Sequence, residues 1–288
     1  MRNTFQRCAA RIVLIIPFAA FLLSPSVALA GLLGSGVNFA VLGGSAVTNT
    51  GTTPINGDIG VSGTSAYTAG GIAQTGGTVY LNDAVAHTAE DDVFTNANSA
   101  YATLAALSVP VGNVLTGTNL GGLTLLPGVY YFHDAAALTG TLILNANYDP
   151  NALFVFQIGS TLDTAAGSSV QVTHGGAGVG VFWQVGSTAT LGANTLFLGN
   201  ILADTSINLG NEATICGRAL AQTGAVALDT NTISDACGAP SAFNSGHGDF
   251  GSLGFAGLTV PEPGTVPLLS VGLLALSLCG WQSRKRVA

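Results

Sequence analysis

"ILADTSINLGNEATICGRALAQTGAVALDTNTIS" runs from Ile201 to Ser234, and its apolar residues return at a fixed interval. Leu191, Leu209 and Leu228 align at separations of 18 and 19 residues. Phe197, Ile215 and Ile233 align at 18 each time, and Phe182, Ile201 and Ala219 make a third column. A period near 20 marks a solenoid, in which each repeat buries its apolar face on its neighbours. Every repeat divides into three short segments, such as "NILAD", "TSINLG" and "EATICG", broken by Gly, Asn and Asp. Apolar residues alternate within a segment, as in a half-buried strand. Three strands per turn predict a mainly β fold, a β-solenoid (β-helix) of triangular section with coils about 4.7–4.9 Å apart; a right-handed coil is the expectation, though the strand count does not set the hand.

The pattern continues upstream with longer turns. "FQIGSTLDTAAGSSVQV" (156–172) precedes "FWQVGSTATLGANTLFLG" (182–199), and the Gly-rich "HGGAGVG" between them reads as a turn. "LGGLTLLPGVYYF" and "LTGTLILNANYDPNALFVF" supply earlier coils, and the strand-like "VNFAVLGGSAVTNTGTTPINGDIGVS" is expected to join the same stack. Residues 82–107 break the pattern. Ala86, Ala89, Val93, Ala97, Ala100, Leu104 and Leu107 form one apolar stripe at helical spacing, with Asn82 as N-cap. The first strand of each coil is apolar on both faces: Phe182 with Trp183, Ile201 with Leu202, Ala219 with Leu220. A strand apolar on both sides is covered on both. The long helix is therefore expected to lie along this face, leaving two faces open.

On the second face, alternation turns Ala189, Leu191, Ile207, Leu209, Val226 and Leu228 inward. Thr188, Ser206 and Ala225 then form one outward column, and Thr190, Asn208 and Ala227 another. On the third face Phe197, Ile215 and Ile233 point in, while Thr214 and Thr232 point out beside Leu196. Such groups recur about every 6.6–6.8 Å along a strand and 4.7–4.9 Å between coils. A flat array of methyls and hydroxyls at these spacings is suited to ordering water. Thr is also a favoured strand residue, so Thr columns alone do not establish a ligand.

Both ends of the chain read as address signals. Residues 1–30 carry Arg2, Arg7 and Arg11, the apolar "IVLIIPFAAFLL" and an Ala28-Leu29-Ala30 cleavage site, the pattern of a secretory signal peptide. A mature domain follows over 31–237, then a Gly- and Ser-rich linker over 238–259. From 260 to 288, Pro261-Glu262-Pro263 precedes a hydrophobic helix over 266–281 and a basic tail with Arg284, Lys285 and Arg286. This tripartite end resembles a PEP-CTERM sorting signal, and a plain tail anchor is the alternative. The resemblance implies export across the inner membrane of a Gram-negative bacterium and transient anchoring by that transmembrane helix. It further implies processing by an exosortase-type enzyme and release to the cell surface or an exopolysaccharide matrix. Export makes a disulfide between Cys216 and Cys237 available, the alternative being two free thiols. Closing that loop contributes about 3 kcal/mol in the chain-entropy model.

Charge removes whole classes of function. Arg218 is the only Lys or Arg between residues 31 and 260, and the 288-residue chain has a net charge of −7. Nucleic-acid binding needs a basic patch that displaces counterions, and no such patch exists here. Anionic membrane surfaces fail on the same ground.

The long motifs carry a second resemblance. "NFAVLGGSAVTNTGTTPINGDIGVS" (38–62), "LGGLTLLPGVYYF" (120–132), "DPNALFVFQIGSTLDTAAGSSV" (149–170), "VFWQVGSTATLGANTLFLGNILADTSI" (181–207) and "GRALAQTGAVALDTNTIS" (217–234) resemble the ice-binding (antifreeze) protein family. That family is built on a discontinuous β-solenoid with a flanking helix. The resemblance implies a monomer without cofactor that adsorbs to ice or ordered water through a flat Thr-, Ser- and Ala-rich face. Growth or recrystallisation of ice would be limited as a result. A structural or adhesive matrix protein on the same fold is the alternative. Family faces often show a Thr-Ala/Gly-x-Thr/Asn pattern. Here "GANT" (192–195), "NEAT" (211–214) and "DTNT" (229–232) match it imperfectly, with Glu212 and Leu196 interrupting. Candidate ice-binding residues are Thr188, Thr190, Ser206 and Asn208 on the second face and Thr195, Thr214, Thr230 and Thr232 on the third. The second is more uniform, while the pattern leans slightly to the third.

Enzymatic readings find little chemistry, so no catalytic residue is assigned. A lyase base would have to be Arg218, which sits in a Gly-Arg-Ala turn. Glycoside hydrolysis needs two carboxylates, and Asp163 with Asp204 on neighbouring strands is the candidate pair, Asp in turns being the commoner reading; Asp91 and Asp92 fall on the exposed side of the helix. His87, His133, His174 and His247 lack metal-ligand spacing.

Overall fold

A computed structural model of the chain describes residues 31–176 and 178–235. The signal peptide, Cys237, the linker, His247 and the sorting signal with its helix and basic tail lie outside the described residues. Among those described, the strands form a 14-stranded and a 7-stranded sheet built from parallel pairings. Each coil contributes one strand to each of three faces. One complete coil is Leu153–Ile158, Leu162–Thr164 and Ser169–Thr173. The larger sheet covers two faces, because Leu196–Ala203 and Thr214–Ala221 each run from the third face of one coil onto the first face of the next.

Register confirms two of the three expected columns and corrects the other. Leu191 pairs with Leu209, and Phe197 with Ile215 and then Ile233. In the first-face column, however, Trp183 and not Phe182 aligns with Ile201 and Ala219. Phe182 lies opposite Asn200 and joins the layer beneath the helix. Inside the coils, Tyr130, Phe156, Trp183 and Phe197 stack with ring centroids 5.5, 3.9 and 4.9 Å apart in turn. The Trp183 indole N–H donates to the Leu198 carbonyl (3.0 Å), so this buried ring keeps its polar atom paired.

The stack is discontinuous in sequence. Phe39–Gly43, Ala46–Thr50 and Thr53–Asn56 pair with the last described coil of the chain, through Val41 with Ala219, Val47 with Val226 and Ile55 with Ile233. Buried Arg218 fastens this joint. Its Nε donates to the Val37 carbonyl (2.9 Å) and its Nη1 to Asn200 Oδ1 (3.0 Å). Arg218, expected in a Gly-Arg-Ala turn, thus lies within the strand Thr214–Ala221, where its buried guanidinium has a structural part.

The expected helix over 82–107 is a helical segment over 84–105. It comprises α1 (Ala84–Glu90), a π-turn (Asp91–Thr95) and, after a break, α2 (Ala100–Ala105). Asp83, not Asn82, is the N-cap: its carboxylate accepts from the Val85 and Ala86 N–H groups. The break moves the stripe, so Ala97 is exposed and Phe94 is buried in its stead. Ala89, Val93, Phe94, Ala100 and Leu104 cover Leu42, Val155, Phe182, Leu202 and Leu220. Gln157 Nε2 donates to the Leu104 (2.7 Å) and Leu107 (2.9 Å) carbonyls, satisfying the open end of α2. Tyr101 Oη donates to the Val185 carbonyl, and burial pushes its phenol pKa up. No described helix is long and apolar enough to cross a membrane.

Candidate functional site

The second face consists of seven strands: Ala136–Leu138, Leu162–Thr164, Ala189–Leu191, Ile207–Leu209, Ala225–Asp229, Ala46–Thr50 and Ala66–Tyr67. Seven strands at the usual spacing make a surface roughly 29 Å long. Register places Thr190 opposite Asn208, Asn208 opposite Ala227 and Ala227 opposite Thr48. Asp163 and Ala137 extend this column at the other end. One pleat earlier, Thr161, Thr188, Ser206, Ala225, Ala46 and Ala66 occupy equivalent positions, set by the same pairings. The structure thus brings Thr188, Thr190, Ser206 and Asn208 together. It also adds Thr161, Thr48 and Ala46, which sequence reasoning left out. The alternation in "SAVTNT" was a signal for Thr48 and Ala46, but their place in the stack depends on the chain discontinuity.

This surface is supported by packing from below. Val47, Leu162, Ala189, Leu191, Ile207 and Val226 point inward and are fully buried. A β layer backed by a dry core holds its outward groups in fixed relative positions. Asp163 is the charged member of the Thr190 column, and its carboxylate accepts from Thr161 Oγ1 (2.6 Å). At the edge of the face, Asp229 Oδ1 accepts from Asn211 Nδ2 and Thr230 Oγ1, each at 3.2 Å.

The third face is less even. Ser169, Leu196, Thr214 and Thr232 share one outward column. Thr214 and Thr232 are therefore neighbours, as expected. Thr195 is a correction: it is completely buried, aligned with Ala213, and its hydroxyl bonds to Thr164 Oγ1 (3.0 Å). "GANT" is thus one residue out of register with "NEAT" and "DTNT". Thr230 lies on a corner, not on the face. Asn194, Glu212 and Thr230 all take left-handed backbone there, with φ of 56, 59 and 55°. Glu212 accordingly sits at the rim and does not interrupt the centre, whereas Leu196 does.

The enzymatic candidates stay apart. Asp163 is on the second face, and Asp204 is on a corner two coils away, where its carbonyl accepts from Thr223 Oγ1 (2.8 Å). His87 contacts Asn82 and His174 contacts Asn145. Among the described residues no group of three His, Cys, Asp or Glu is placed to hold a metal ion. Cys216 is buried, and its expected partner Cys237 lies outside the described residues.

Comparison with known proteins identifies a family for the chain. A family model described as ice-binding-like matches residues 41–234. An ice-binding protein of Nostoc sp. (strain HG1) is 52% identical over 81% of this chain and 84% of its own. One from Flammulina populicola is 33% identical over 75% of this chain and 94% of its own. The crystal structure of an ice-binding protein from an Antarctic biological consortium superposes with a TM-score of 0.65 at 43% identity. It covers 70% of this chain and 89% of the other. That of the Antarctic ascomycete Antarctomyces psychrotrophicus gives 0.64 at 38% identity, over 70% of this chain and 96% of the other.

Proposed function

The chain belongs to the ice-binding-like family, and we propose that it adsorbs to ice through the second face. The observation that carries this choice is the register of Thr188, Ser206 and Ala225 beside Thr190, Asn208 and Ala227. These side chains are small, uncharged and of similar height, over a buried apolar layer. Water against such a surface is ordered by methyls that offer no hydrogen bond and hydroxyls that do. A lattice of ice accepts that order without disruption. Rigidity of the coils keeps the entropy cost of adsorption low, because few side chains need ordering on contact. Adsorbed molecules then pin the growing surface and limit growth or recrystallisation.

The same reading includes a right-handed, triangular coil, no enzymatic activity, a monomer, and a Cys216–Cys237 disulfide. It also includes export by the signal peptide, processing of the PEP-CTERM tail by an exosortase-type enzyme, and delivery to the cell surface or matrix. The motifs at the two ends of the sequence support that route.

A single ice crystal held just below its melting point in a solution of the protein tests the function. Faceting or arrested growth, absent with an inert control protein, is the expected result. A smooth, freely growing disc at high protein concentration would reject it and leave a matrix protein on the same fold.

A further inference from the structure

Two turns at the corner between the third and first faces are not needed to close a coil. Leu196–Ala203 and Thr214–Ala221 pass this corner without interruption, with Gly199 and Gly217 in the left-handed region. Two earlier coils instead leave the ladder, one over residues 146–152 and the next directly after Thr173. The two excursions are packed on each other. Gly176 has Pro150 Cβ 2.6 Å from where its own Cβ would stand, and Gly178 donates its N–H to the Pro150 carbonyl (3.0 Å). This close approach gives Gly176 and Gly178 a role that a simple turn would not require.

The tip they support is strained and exposed. Asn147 and Tyr148 take left-handed backbone in succession, at φ of 52 and 64°, and His174 of the next coil does so at 53°. Asn tolerates this region, whereas a tyrosine holds it at a cost that something else must offset. The turn itself offsets it, because the Asp149 N–H donates to the Ala146 carbonyl (2.9 Å) and closes the loop around both residues; the Tyr148 ring is not held by the core and is 79% exposed. Its ring lies 4.7 Å from that of His174, tilted by 52°, and its N–H donates to the His174 carbonyl (2.9 Å). His174 Nδ1 is 3.2 Å from Asn145 Oδ1. Asn147, Asp149 and Asn151 follow in the same excursion.

We propose that Tyr148 and His174 form a stacking platform for a neutral polysaccharide. Aromatic faces pack against the C–H faces of a sugar ring, and the surrounding amides and carboxylate meet its hydroxyls. Charge selects the class of sugar. The chain has a net charge of −7, and the one cation of residues 31–235, Arg218, is buried. Uronates or sulfated chains therefore meet repulsion and no counter-charge. The second face does not share this corner, so a polysaccharide held here leaves the proposed ice surface free. The platform does not depend on ice adsorption being correct.

Affinity electrophoresis of the full chain in mild detergent tests the site. Native gels would contain dextran, laminarin or galactomannan, with alginate as the anionic comparison. Retardation is expected in at least one neutral gel and not in alginate. Tyr148→Asn and His174→Asn should lose it, and Tyr148→Trp should keep it. Because Asn suits left-handed backbone, Tyr148→Asn should melt at or above the wild-type temperature and shape ice unchanged. Unaltered mobility in all three neutral gels would overturn the proposal, as would wild-type retardation of Tyr148→Asn. A lower melting temperature for Tyr148→Asn would also overturn it, by giving the ring a structural role.

Discussion

Thr188, Ser206 and Ala225 on the second face, and Leu196, Thr214 and Thr232 on the third, come from the same stretch of stacked coils. Parallel register aligns both sets, yet the surfaces differ. Along the second face the outward groups stay small from Thr188 to Ala46. Along the third, Ser169 is followed by Leu196, then by two threonines and Pro54. Gln171 and Ile143 share a second column with Thr124. The inward sides are equally apolar, so core packing does not create the difference. What separates the faces is uniform side-chain height, a property that stacking permits and the outward residues must supply.

A bulky group in the middle of the level face should have the largest effect. Asn208→Tyr raises a ring between Thr190 and Ala227, in an exposed position that leaves the core intact. Ice faceting should disappear while the melting temperature and circular dichroism stay near wild type. Retained faceting would remove the second face from the function.

The level face also depends on the chain discontinuity, which Arg218 secures. Arg218→Met should cost about 2–4 kcal/mol, since the Val37 carbonyl and Asn200 Oδ1 lose a charged donor in a buried setting. Urea denaturation measures the loss. Hydrogen exchange should place the weakening first in residues 39–81, which include Thr48 and Ala46 of the second face. Uniform weakening along the stack would show that the joint is not its local weak point.

Much of this was legible in the sequence because a solenoid repeats its physics. Apolar alternation gave the strands, and the 18-residue interval aligned Leu191 with Leu209 and Phe197 with Ile215. One-residue errors appeared where spacing alone could not choose a face. Phe182 was placed for Trp183, and Thr195 was placed outside when a corner turns it inward. Asn194, Glu212 and Thr230 mark that corner, but none is glycine, so the left-handed backbone carried no obvious signal. The helix was legible as one stripe, whereas its π-turn and break, which bury Phe94 in place of Ala97, were not. Strand-like alternation placed residues 39–56 in the stack, but not at the last described coil, where the pairings put them. Local pattern cannot say which end of a stack a distant strand will meet.

A smaller effect should come from the charged end of the level face. Asp163 continues the Thr190 column, and a carboxylate binds its own hydration shell firmly. Asp163→Thr extends the uncharged array toward Ala137. Crystal growth inhibition at a fixed protein concentration should rise by about twofold, less than 1 kcal/mol on an affinity scale. A decrease would mean that the Asp163 carboxylate, with its Thr161 hydrogen bond, is itself part of the binding array.

The smallest effect is expected from the mirror of the first experiment. Thr232 is exposed on the third face, opposite Thr214, and bears a ring as easily as Asn208 does. Thr232→Tyr should leave faceting and growth inhibition unchanged, because Leu196 in the same column already breaks the array. Equal loss in Thr232→Tyr and Asn208→Tyr would mean that both open faces meet ice, and that evenness of height is not the criterion. Loss in Thr232→Tyr alone would reverse the assignment, with Thr214 and Thr232 as its centre. Small outward threonines beside a leucine would then suffice, and the regular columns from Thr188 to Ala225 would reflect strand propensity alone.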